Sequence, residues 1–122
     1  MNIVWIMIGG SLGSLLRYGT TLICTRIFGA SFPIGTLVVN LCGCFLIGAI
    51  MGMAERSSFI TPAFRLFFVT GFLGALTTFS TYAWESMSAL RNESVGTALL
   101  NIMINNIAGL GLVLAGFWLV KH

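Results

Sequence analysis

Four stretches of mostly apolar residues fill this chain: Ile3 to Ile23, Pro33 to Met53, Pro62 to Leu90 and Val95 to Val120. Each reaches the length of about 20 residues that a helix needs to cross a bilayer. The polar breaks between them are too short to be domains, so residues 1–122 are expected to form a single domain of four transmembrane helices. A soluble domain of similar size carries about a quarter of its residues as charges. Here 57% of residues are hydrophobic and only 7% charged, and the mean hydropathy is +1.01. The missing polar surface points to lipid as the solvent and to a multi-pass protein of the membrane.

Local signals favour helices over barrel strands. Ser31 stands two residues before Pro33 and Thr61 directly before Pro62, and both suit helix starts, where proline loses no hydrogen bond. Met1 to Met7 lacks the basic region of a cleaved signal peptide, so the first stretch is expected to remain as a span. The basic residues Arg17, Arg26, Arg56, Arg65, Arg91 and Lys121 are scattered singly, whereas a nucleic-acid site clusters them on one face. With an even number of spans, Arg56, Arg65 and Lys121 fall on one side and Arg26 with Arg91 on the other. A fixed orientation rests on a clear excess of basic residues in cytoplasmic loops, so this near balance suggests insertion both ways and an antiparallel dimer. Cys24, Cys42 and Cys44 form neither a metal-binding spacing nor an even disulfide set and read as small packing residues.

The third stretch holds Gly71 and Gly74, followed by Leu76, Thr77, Thr78, Phe79, Ser80 and Thr81 near its middle. A helix interrupted there would free carbonyls and amides at membrane depth, tolerated only where protein or a water-filled cavity satisfies them. The alternative is an unbroken helix whose hydroxyls bond back to their own carbonyls. Spacing does not choose between them.

Small and polar residues recur every four positions: Gly9, Gly13 and Arg17 in the first span, Asn40, Cys44, Gly48 and Gly52 in the second, Asn101, Asn105 and Gly109 in the fourth. Such faces meet protein, because small residues let membrane helices approach closely. Arg17 and Asn40 are costly in hydrocarbon and are candidate functional groups, although Arg17, late in its span, can also snorkel to the interface. Asn101 and Asn105 make a polar track, or structural glue to a neighbouring helix. Thr78, Thr81, Tyr82 and Glu85 share one face of the third span, and Phe79 and Tyr82 place two aromatic rings on adjacent turns. Glu85 is either an acceptor that orients hydroxyls or a cap at the helix end. This inventory of amides, hydroxyls, one arginine and ring edges holds neither a metal cage nor a catalytic dyad, and suits a small anion.

Three motifs, Gly9 to Arg17 (GGSLGSLLR), Gly35 to Asn40 (GTLVVN) and Gly71 to Glu85 (GFLGALTTFSTYAWE), resemble those of the Fluc, or CrcB, family of fluoride channels, in the same order and over nearly the whole chain. The resemblance implies a passive, fluoride-selective channel, not an enzyme, in the plasma (inner) membrane, lowering cytoplasmic fluoride. It implies an antiparallel dual-topology homodimer with two pores, its third helix broken at mid-membrane, and a structural sodium ion held by the backbone oxygens of Gly74 and Thr77 from both subunits. It further implies that Phe79 and Tyr82 form an aromatic box for the ion, that Asn40 donates an amide to it, that Arg17 lines a vestibule, and that Ser80, Thr81, Asn101 and Asn105 extend the track. Tyr82 departs from the phenylalanine usual at the second box position, and Ala83 stands where serine is common. Two rivals exist. A small multidrug exporter needs an acid in its first span, which has none, and a structural subunit of a larger complex leaves the buried amides without a task.

Overall fold

The computed structural model describes residues 1–122 and is helical throughout. Helix α1 spans Asn2–Phe28 and α2 spans Ile34–Arg56. Helix α3 covers residues 62–76, α4 covers Phe79–Arg91 and α5 covers Val95–Lys121. Ile34–Arg56, Pro62–Arg91 and Val95–Lys121 are long and apolar enough to cross a membrane. Helix α1 has the length, at 27 residues, but its glycines, serines, threonines and Arg17 make it less apolar than the others.

Helix ends follow backbone chemistry more closely than apolarity. Helix α1 runs beyond Ile23, because Cys24, Thr25 and Arg26 are polar without being helix breakers, and stops at Gly29, whose φ of 79° suits a residue without Cβ. Thr61 caps α3 as its position predicts, accepting from the Phe64 amide at 3.2 Å, with Pro62 in the first turn. Ser31 does not cap α2. That helix begins after Pro33 with no side-chain cap, so proline alone sets its start.

Both stretches that carry the polar residues depart from regular α-helix. Leu66–Leu73 and Ile104–Ala108 are π-helical, wider turns that recur at functional sites. The second π-turn holds Asn105 and Asn106. At Thr77 (φ −82°, ψ 155°) and Thr78 (φ −151°, ψ 115°) the backbone is extended, and helix resumes at Phe79. The segment is therefore not an unbroken helix, since regular helix stops at Leu76, although Thr77 Oγ1 donates back to Leu73 O at 3.0 Å.

Glycine seams hold the bundle together. Helix α1 packs on α3 through Gly9 and Gly13, where a Cβ would overlap the Phe67 and Phe72 carbonyls. Helix α2 packs on α5 through Gly48 and Gly116, each against the other helix's backbone, with Gly52 beside Phe117. Such contact gains dispersion energy where lipid offers no hydrophobic drive. Only 19 residues are buried; of the buried apolar ones, Val39, Leu73 and Leu76 form a cluster with Leu46, Ile47, Phe68 and Phe72 against it. Large apolar side chains such as Leu110 and Leu119 point outward, as in a protein solvated by lipid.

The α2–α5 seam supports one prediction. Gly48→Leu drives a branched side chain into the Val113 backbone and is expected to cost about 1–3 kcal/mol or more, the range for overpacking. Thermal unfolding in detergent, followed by circular dichroism, checks this; an unchanged midpoint refutes the seam.

Candidate functional site: an amide ladder between two cavities

The polar residues converge because Asn40 on α2 takes over the hydrogen bonds that the chain loses at Thr78. Asn40 Oδ1 accepts from the Thr78 amide at 2.8 Å, and Asn40 Nδ2 donates to Thr78 O at 3.2 Å. Two-point pairing by a side-chain amide satisfies both backbone groups of an extended residue. Thr78 Oγ1 in turn accepts from the Thr81 amide at 3.2 Å, capping α4, and donates to Thr81 Oγ1 at 3.0 Å, with Ser80 Oγ at 3.5 Å. The two amides that would normally close onto Gly74 O and Thr77 O, those of Thr78 and Thr81, are thus directed elsewhere.

From Asn40 a chain of donors runs in one direction. Asn40 Nδ2 donates to Asn105 Oδ1 at 3.0 Å, and Asn105 Nδ2 donates to Asn101 Oδ1 and Asn101 O, each at 2.9 Å. Asn101 Nδ2 donates to Ser86 Oγ at 2.9 Å, which donates to Tyr82 O at 2.9 Å. Asn101 is 1% exposed. A buried amide left unpaired costs about 1–3 kcal/mol, so the ladder is both a structural tie and a polar route through apolar surroundings.

This ladder connects two cavities. The first, about 450 Å³, lies where the α1–α2 loop meets the α4–α5 turn and is lined by Thr21, Thr36, Glu85, Ser88, Thr97 and Asn101 among others. The second is an open groove of about 370 Å³ whose walls include Asn40, Cys44, Thr78, Phe79, Tyr82 and Asn105. Asn101 borders one and its partner Asn105 the other, so a single hydrogen-bonded step separates them. The Phe79 and Tyr82 rings stand 5.4 Å apart between centroids, inclined at 62°. Phe79 is 78% exposed, while Tyr82 is buried.

Glu85 faces the first cavity. Its Oε1 accepts from Thr36 Oγ1 at 2.7 Å, while the buried Oε2 has no protein partner. The acceptor alternative therefore describes Glu85, which lies two turns before the end of α4 at Arg91. Arg17 stands apart: half-buried on α1, it borders neither cavity and makes no ion pair or side-chain hydrogen bond. It lies one turn before Thr21, which does line the first cavity. Cys24 borders the first cavity, Cys44 the second, and Cys42 is exposed.

Thr36 and Ser86 belong to this constellation but are not among the expected site residues, while Thr78, on the polar face of the third span, and Asn106, beside Asn105 in the fourth, join it without having been given a role. Thr36 extends the stripe of Asn40 one turn back and was detectable by that spacing. Asn106 donates to Tyr82 Oη at 3.0 Å, a contact that no spacing predicts.

A helical bundle with apolar outer faces and a continuous path of hydrogen-bonded amides inside it defines a multi-pass membrane protein. Residues 4–117 match the family model described as CrcB-like protein, Camphor Resistance (CrcB). The chain is 44% identical over 116 residues to a fluoride-specific ion channel FluC of Salinibacter ruber, covering 95% of this chain and 86% of that one. It is 43% identical over 107 residues to the protein of the same name from Citrifermentans bemidjiense (88% and 86% covered), and 41% identical over 104 residues to that of Shewanella halifaxensis (85% and 83% covered). The chain belongs to the CrcB family, a family of ion channels and not of enzymes.

Proposed function

We propose that this protein is a passive fluoride channel that works as an antiparallel homodimer in the plasma (inner) membrane, with four spans per subunit in either orientation. The single observation that carries the reading is the ladder Asn40–Asn105–Asn101 between the two cavities, on a chain whose relatives are named fluoride-specific channels. The groove supports the dimer. It is open on one side, with Phe79 exposed at its edge and the amides of Asn40 and Asn105 on its wall. A second copy seated on this open side would close it into a pore.

In this reading the ion passes from the cavity at Glu85 and Asn101, along the amides and the hydroxyls of Ser80 and Thr81, to the ring edges of Phe79 and Tyr82. Edges carry partial positive charge, and many modest donors permit both entry and exit. Asn40 already directs its amide to Thr78 O and Asn105 Oδ1, so it serves the ion by exchanging one of these bonds. Arg17, without a carboxylate partner, contributes positive potential that draws anions toward the first cavity. Flow down the gradient lowers cytoplasmic fluoride, which accumulates when the weak acid enters and dissociates.

A structural sodium ion fits the carbonyls of Gly74 and Thr77. Both have lost their usual amide partners, since those of Thr78 and Thr81 bond to Asn40 Oδ1 and Thr78 Oγ1. Carbonyls freed at the helix break halfway along the 30-residue stretch Pro62–Arg91 are hard oxygen ligands suited to such a cation. The backbone oxygens of Gly74 and Thr77 from both subunits would hold the ion, and its positive charge would favour anions nearby.

The test is release from liposomes loaded with potassium fluoride, started by a potassium ionophore and read by a fluoride electrode beside an identical chloride experiment. Fast fluoride release without chloride release is expected. Release of neither ion, from vesicles shown to hold folded dimer, overturns the reading.

A further inference from the structure

The groove presents an accounting problem for an anion. Among its lining side chains, Asn40, Asn105, Asn106, Thr77 and Thr78 all carry N–H or O–H groups, and each directs them to a protein acceptor. Tyr82 is the exception. Its hydroxyl accepts from Asn106 Nδ2 at 3.0 Å and donates to no protein atom.

The direction of that bond is fixed by a second one. Asn106 Nδ2 also donates to the Ile102 carbonyl at 2.8 Å, and a carbonyl oxygen can only accept, so the amide is anchored with its nitrogen toward Tyr82. The phenol oxygen is therefore the acceptor, and its own proton must point away from Asn106. Accepting a hydrogen bond also polarises an O–H and makes it a stronger donor. The Tyr82 ring is 9% exposed and packed edge-on against Phe79, so the hydroxyl has little freedom to swing elsewhere.

We propose that the Tyr82 hydroxyl is a dedicated hydrogen-bond donor to the permeating anion, and that Asn106 is the positioning residue that holds it in place. The proposal deepens the channel reading and rests on it. A ring edge at this position offers only a weak C–H contact, whereas a hydroxyl offers a charge-assisted bond of about twice the strength of a neutral one. This chain thus carries an anion site at its aromatic pair that does not require the amide ladder to rearrange first.

The test uses reconstituted full-length protein and fluoride release over a range of internal fluoride concentrations. Tyr82→Phe keeps the ring and is expected to slow release at low fluoride about tenfold, the lower end for losing a hydrogen bond to a charged group. The deficit should shrink as fluoride is raised, because the loss is one of binding. Asn106→Leu is expected to reproduce that pattern. Combined with Tyr82→Phe it should add nothing, since Asn106 acts through the hydroxyl. A merely structural Asn106, tied to Ile102 O, would lower release equally in both backgrounds, and that outcome overturns its positioning role. Full release by Tyr82→Phe at low fluoride overturns the donor. If the unaltered protein releases no fluoride, the channel reading itself has failed, which separates the two cases.

Discussion

Phe79→Ile is expected to suppress fluoride release at least tenfold while leaving the dimer intact by size-exclusion chromatography. Within one subunit the Phe79 ring is 78% exposed and makes its aromatic contact only with Tyr82, so its loss removes little packing from the fold. What disappears is the ring edge at the open groove, and an isoleucine of similar bulk presents no positive rim to an anion. A tenfold change requires only about 1.4 kcal/mol at the highest barrier along the path. Undiminished release with a well-folded dimer would remove the aromatic pair from the pathway. Simultaneous collapse of the dimer would show instead that the ring serves association.

Asn40→Leu should be more damaging, because it affects the fold and the path together. The leucine leaves the Thr78 N–H and C=O without partners and breaks the first step of the ladder at Asn105. Two buried backbone groups at about 1–3 kcal/mol each make a loss of several kcal/mol, so both the unfolding midpoint and fluoride release are expected to fall. Asn40→Asp probes the amide protons. It keeps an acceptor for the Thr78 amide but has no proton for Thr78 O or Asn105, and it sets a negative charge against both oxygens. A lowered midpoint together with abolished release is the expected result, measured by thermal unfolding and the electrode assay on the same preparation. Normal release by Asn40→Asp would show that Asn40 is a structural clamp alone.

Much of this arrangement was legible in the sequence because membrane helices show their contacts as small residues at regular spacing. Gly9 and Gly13, or Gly48 and Gly52, mark the seams directly, and Asn40, Asn101 and Asn105 mark the ladder by being too costly to face lipid. Thr61 followed by Pro62 gave a helix start for the same local reason. Ser31 misled because a capping residue works only when directly adjacent to the first turn, and Pro33 occupies that place. The extended residues Thr77 and Thr78 could not be settled from the chain alone. What decides the break is Asn40, 38 residues from Thr78, whose amide substitutes for the helix bonds that Thr78 gives up. The partners of Asn106 and Ser86 were out of reach for a related cause: Asn106 meets Tyr82 and Ser86 meets Asn101 through a register created by packing and by the π-turn at Ile104–Ala108.

The glycine seams also bear on how fast the protein can work. Helices that touch backbone to backbone at Gly9, Gly13, Gly48 and Gly116 cannot slide or rock without first losing that contact, so the bundle behaves as a solid wall. Alternating access depends on collective motions of microseconds to milliseconds, while side-chain rotamer changes take picoseconds to nanoseconds. A wall of this kind leaves only amides, hydroxyls and rings to move, and the pace of transport is then set by the ion and its water instead of by the architecture.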